Sequence, residues 1–149
     1  MSDSIIISAD GPAHKWEKMN YEDLAVILRK DNVVPVFSSQ AGLLSRENLN
    51  DSRIRSVVYA EYVNLTFDET LTQWLAVSDI IRKSAEEYGG LFVDVYKEVP
   101  HSRQYFLDHV HLSDDGNAAV AHTFFESLTH DLRVDSLFRA KKALASDTK

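Results

Sequence analysis

The chain has no cysteine, which excludes a disulfide framework, a thiolate zinc site and a cysteine nucleophile. It has no run of about 18 apolar residues, so no transmembrane span is expected. The N-terminus lacks a basic stretch leading into a long apolar one, and no signal peptide is expected from it; the compartment stays open. Basic residues are few beside acidic ones, 16 Lys and Arg against 23 Asp and Glu for a net charge of −7. They gather only at Arg139, Lys141 and Lys142. That pattern argues against nucleic acid or an anionic membrane surface as a partner. Internal repeats and low-complexity segments are absent as well. What remains is 149 residues, 44% of them hydrophobic, enough to bury a core in one domain. Residues 1–149 read as that single domain, with 145–149 as a frayed polar tail.

Taken in order, Ile5-Ile6-Ile7 is a β-branched run ending in Asp10-Gly11-Pro12, which predicts a buried strand and a loop. Asn20 reads as the N-cap of a helix with Tyr21, Leu24, Ile27 and Leu28 on one face. Val33 to Phe37 reads as a second strand, with Pro35 near its start because proline has no ladder donor. Ser38-Ser39-Gln40-Ala41-Gly42 follows as a loop, and Ser45 to Arg55 as polar surface loop. Val57-Val58-Tyr59 is a short apolar patch. Thr66 to Glu69 forms a Thr-x-x-Glu capping box. It opens an amphipathic helix through Leu71, Trp74, Leu75, Ser78, Ile81, Ala85 and Tyr88, closed by Gly89-Gly90. Leu91 to Val95 is the third predicted strand, and a loop runs on through Pro100. A helix after Ser113 is expected to bury Ala118, Ala121, Phe124, Phe125 and Leu128. A last helix runs from Asp131 to about Leu144. Strands separated by helices indicate a parallel sheet covered on both faces.

The chemistry concentrates in Phe106-Leu-Asp-His-Val-His-Leu-Ser-Asp-Asp-Gly-Asn117. A carboxylate three residues before a histidine can reach its Nδ1 proton, fixing the tautomer that leaves Nε2 as a general base. Ser113 stands as N-cap, with Asp114 and Asp115 in the first turn. Spacing alone also fits a plain surface loop that caps a helix. Position after a strand favours function, because ligands in open α/β sheets gather at the carboxyl ends of strands. Asp108, His109 and His111, with His101 nearby, form a second option as oxygen and imidazole ligands for zinc. Ser38 and Ser39 loosely resemble a nucleophile elbow without its Gly-x-Ser-x-Gly pattern. His109 is expected to face solvent or a cleft, and His14, His122 and His130 carry no pattern. Trp74, Phe124 and Phe125 read as core; Trp16, Tyr96 and Tyr105 are candidates for lining a pocket.

The Asp-x-x-His-Leu-Ser-x-x-Gly block from Asp108 to Gly116 resembles the last conserved block of the SGNH (GDSL-type) hydrolases. The stretch from Asn64 to Leu128 is similar in style to that family's closing segment, and the first fifty residues match more loosely. The resemblance implies a three-layer, flavodoxin-like α/β fold, a parallel sheet with helices on both faces. It implies ester hydrolysis through an acyl-enzyme, with His111 as general base and then general acid and Asp108 orienting it. No cofactor or metal is implied. The substrate would be a small-molecule or carbohydrate ester; a carbohydrate deacetylase and a lysophospholipase-like enzyme both fit.

The family carries its nucleophile in a Gly-Asp-Ser motif after its first strand, and no such motif occurs here. Ser2-Asp3-Ser4 lacks the glycine and precedes a strand. The oxyanion-hole glycine and the Gly-x-Asn-Asp block are missing too. Asp10 stands where an asparagine donor is expected, and an ionised aspartate cannot donate to an oxyanion. These departures lead to the expectation that the chain begins inside the fold, with Ile5–Ser8 as the family's third strand and the first two strands absent. The sheet edge so exposed would invite pairing with an upstream segment or a partner. The other expectation is a catalytically degenerate module that binds a carbohydrate or protein and has lost its serine.

Overall fold

A computed structural model describes residues 12–30, 33–61 and 65–146, and within them lie six helices and a small two-stranded parallel sheet. Helix α1 spans Pro12–Lys30. It starts well before Asn20, which lies exposed inside it. Proline suits a first helical turn, where its missing N–H has no partner to lose and its φ is already helical. The buried face of α1 is Tyr21, Ala25 and Leu28, while Leu24 and Ile27 face outward. Tyr21 sets its ring edge-on to Phe37 at 5.8 Å.

Strand β1 is Val36–Ser38 and β2 is Leu91–Val93, shorter than the runs Val33–Phe37 and Leu91–Val95 suggest. They pair in parallel, with Phe37 opposite Phe92 and Ser38 opposite Val93. Pro35 sits just outside, and its carbonyl accepts from the Leu91 N–H at 2.8 Å. The sheet described has these two strands; the expected strand at Ile5–Ile7 lies outside the described residues.

Helix α3, Phe67–Glu87, is the crossover between the strands and packs on both of them and on α1. The capping box at its start is complete. The Glu69 N–H donates to Thr66 Oγ1 at 3.2 Å, and the Thr66 N–H donates to Glu69 Oε2 at 2.7 Å. At its end the Gly90 N–H reaches back to the Ala85 carbonyl at 2.7 Å and the Gly89 N–H to Glu86 at 3.4 Å. Those two bonds make a Schellman motif, which needs a left-handed residue; Gly89 supplies it at φ 70°. Between β1 and α3 the expected surface loop is largely structured. Leu43, Leu44 and Ser45 are buried, Arg46–Asn48 is a 3₁₀ turn, and α2 runs Ser52–Glu61 with Ile54 buried.

After β2, Asp94 leaves the strand and caps the short helix α4, Val95–Glu98, by accepting the Lys97 N–H. Helix α5 covers Asp114–His130 and α6 covers Leu132–Ser146. The apolar residues of α5 are not all core. Ala119, Val120 and Phe124 pack inward, whereas Ala118 and Ala121 are exposed and Phe125 is 61% exposed. The strand pleat sorts the core into two clusters. Phe37 and Phe92 point to one face with Ala25, Ile81 and Ala85, and Leu91 and Val93 to the other with Leu44, Phe67, Leu71 and Phe106. No helix among the described residues is long and apolar enough to cross a membrane.

Candidate active site

The loop after α4 returns on itself. Phe106 and Leu112 form an antiparallel bridge, the Leu107 N–H donates to the His111 carbonyl at 2.8 Å, and the Ser113 N–H to Tyr105 at 3.0 Å. Asp108 and His111 face each other within this loop. One carboxylate oxygen, Oδ1, accepts the backbone N–H groups of Val110 at 2.9 Å and His111 at 2.7 Å. The other, Oδ2, lies 2.6 Å from His111 Nδ1. The two backbone donors and then the imidazole hold the Asp108 carboxyl well below the usual carboxylate range. A carboxylate only accepts, so Nδ1 carries a proton, and in the neutral imidazole Nε2 is then the nitrogen with the lone pair. His111 is 74% exposed, with its ring open to solvent.

Helix α5 anchors the far side of the loop. Ser113 Oγ accepts the Gly116 N–H at 3.2 Å and donates to the Gln104 carbonyl at 2.6 Å. A Cβ at Gly116 would lie 2.0 Å from the Tyr105 carbonyl oxygen. The glycine of the Asp-x-x-His-Leu-Ser-x-x-Gly pattern therefore has a steric cause: helix backbone presses on loop backbone. An open cleft of about 340 Å³, lined by Gln104, Leu107, Leu112, Ser113, Asp114 and Asp115, lies beside it.

The near side rests on the loop after β1. The Leu43 N–H donates to the His109 carbonyl at 2.9 Å. Four carbonyls of that loop each take a side-chain donor: Gln40 from Trp74 Nε1 at 3.1 Å, Gly42 from His101 Nδ1 at 2.7 Å, Leu43 from Asn48 Nδ2 at 2.8 Å and Leu44 from the Tyr96 hydroxyl at 2.8 Å. Burial pushes the Tyr96 phenol up, so it stays a donor. In sequence Trp74 reads as core and Tyr96 as a candidate for lining a pocket, and no pattern singles out Asn48. Their partners are backbone atoms some 34 to 52 positions away for the two aromatics, which no local pattern encodes.

His109 is 3% exposed and does not face solvent. Among the described residues no group of three or more His, Asp or Glu side chains is arranged to hold a metal ion. Ser39 is 2% exposed; its hydroxyl donates to Asp94 Oδ1 and accepts the Tyr96 N–H, both at 2.9 Å. That hydroxyl ties the end of β1 to the end of β2. With Ser113 committed to its cap, two of the serine candidates have structural work. Ser2 and Ser4, like Asp10, lie outside the described residues, as does the Trp16 side chain. His122 and His130 lie on the exposed face of α5 near Glu126, at 3.9 and 3.6 Å. Compared with known proteins, the chain matches no family model, no curated protein and no solved structure.

Proposed function

We propose that this chain is an SGNH-type serine hydrolase acting on ester bonds, with His111 as general base and Asp108 as the group that orients it. The observation that carries this reading is the 2.6 Å contact between His111 Nδ1 and a carboxylate already fixed by two backbone N–H groups. A carboxylate so immobilised holds the ring in one tautomer and stabilises the imidazolium that forms as Nε2 takes a serine proton. The acyl group then passes to the serine and on to water, and His111 returns its proton to the leaving group. On this reading the architecture is the three-layer flavodoxin-like sheet, with β1, α3 and β2 as one crossover unit and the dyad loop beyond the carboxyl end of β2. The substrate is a small-molecule or carbohydrate ester. Pairing with a partner along a sheet edge belongs to the same reading.

A second reading has its own support. Among the described residues no serine hydroxyl hydrogen-bonds His111, and those of Ser39 and Ser113 are engaged elsewhere. That favours a module that keeps the dyad loop as scaffold and binds a carbohydrate or protein. Labelling the purified chain with a fluorophosphonate, followed by mass spectrometry, separates the two. An adduct on one serine, lost in His111→Ala, supports the hydrolase and names its nucleophile. A folded chain that takes no adduct supports the binding module.

A further inference from the structure

The geometry points to His101 as a positioning residue for the Asp108–His111 pair, acting as a fixed Nδ1–H donor that straps the pair's loop to the loop after β1. The consequence for catalysis rests on the hydrolase reading; the strap itself does not.

His101 lies where the chain enters the dyad loop, and its ring reaches Gly42 at 2.7 Å. The partner is a carbonyl oxygen, so Nδ1 must carry the proton, and His101 serves there as a donor. The next residue, Leu43, sends its N–H to the His109 carbonyl, between Asp108 and His111. Residues 42 and 43 thus hold the loop at two points, at 101 where it begins and at 109 inside the pair. Asn48 locks the arrangement, since its amide nitrogen donates to the Leu43 and His101 carbonyls, each at 2.8 Å. The His101 ring rests on Tyr96, centroids 4.5 Å apart, and the Tyr96 hydroxyl binds Leu44.

This matters because the Asp108–His111 pair is solvated, at 43% and 74% exposure. Water competes for both partners of an exposed hydrogen bond, and side-chain entropy opposes holding them together. The bonds Asp108 makes to its own loop orient the carboxylate only as well as the loop backbone is held. The strap supplies that backbone order from outside the loop, as outer partners of a reacting group do.

The test is the tautomer of His111, read from imidazole ¹⁵N shifts of the full chain with its histidines neutral. His101→Phe keeps a ring on Tyr96 and removes the donor. His101→Asn places an amide N–H close to where Nδ1 stood. We expect the Nδ1–H form of His111 to dominate in the wild type, to give way largely to the Nε2–H form in His101→Phe, and to return in His101→Asn. A folded His101→Phe chain with wild-type His111 shifts overturns the proposal. Should His101→Phe not fold, the wild-type chain still decides. The His101 Nδ1 proton must be observable and slow to exchange, and exchange at the rate of an open imidazole overturns it. Failure of the wild type to react with a fluorophosphonate counts against the hydrolase reading alone, because the tautomer is read without substrate.

Discussion

At the scale of single residues, the Asp108 carboxylate is held by its own loop and by His111. Three donors converge on one carboxylate, which is therefore ionised far into acid. The sign follows directly. A carboxyl lowered in the folded state contributes stability in full above its ordinary value of about 4 and loses it as pH falls through the lowered value. The carboxyl carbon of Asp108 should stay at its ionised shift in an NMR titration from neutral pH to about 4, where an ordinary aspartate is half protonated. On the hydrolase reading, His111→Ala should lower ester turnover by several orders of magnitude, and Asp108→Asn by about 10⁴-fold through the wrong tautomer. Steady-state kinetics on a chromogenic ester checks both, and near-wild-type rates in either variant would remove the triad assignment. Asp-x-x-His was legible because both partners lie within one turn of chain. Ser39 was not, since its hydroxyl answers to Asp94 and Tyr96, more than fifty residues away.

Among the elements, α3 has both ends written into local sequence, the capping box at Thr66 and the glycine pair at 89 and 90. Removing the Thr66 hydroxyl by Thr66→Ala should cost about 1 kcal/mol, seen as a lower urea midpoint with an unchanged slope. The start of α5 is more demanding. Gly116→Ala would drive a methyl into the Tyr105 carbonyl oxygen, and rigid backbone lies on both sides. Destabilisation of about 1 to 3 kcal/mol is expected from such overpacking, together with loosening of the dyad loop. Thermal melts read the first effect, and hydrogen exchange at His111 and Leu107 reads the second. Elements whose limits depend on distant partners were read less well. α1 begins at Pro12 rather than at Asn20, because the polar stretch ahead of Asn20 shows little apolar period. The region from Ser45 to Arg55 looked like a surface loop for the same reason, yet Ile54 and the preceding Leu43 and Leu44 are anchored in the core.

For the molecule as a whole, two corners are joined by one side chain. Arg133, at the turn from α5 into α6, donates to the Gly89 and Gly90 carbonyls at 2.8 and 2.9 Å and pairs with Asp131. The Arg133 guanidinium lowers the Asp131 carboxyl to about 2. Stability from this pair is complete above about pH 4 and disappears as pH falls through about 2. Arg133→Met should leave the carbonyls to water and cost about 1 kcal/mol, given that the guanidinium is partly exposed. It should also reduce the acid sensitivity of the melting temperature, which a pair of melts at neutral and acid pH would show. Sequence by itself determined the helix-rich α/β character, the order of its best-capped helices and the pairing of Asp108 with His111. Each of these rests on residues close in the chain, where capping, periodicity and loop geometry act. Tertiary structure alone decided which faces of α1 and α5 are buried, that Ser39 is a tie between strands, and that His101, Asn48, Trp74 and Tyr96 hold one loop's carbonyls. Those outcomes depend on which groups meet after the strands pair, and a buried backbone carbonyl accepts whichever donor the fold brings within reach.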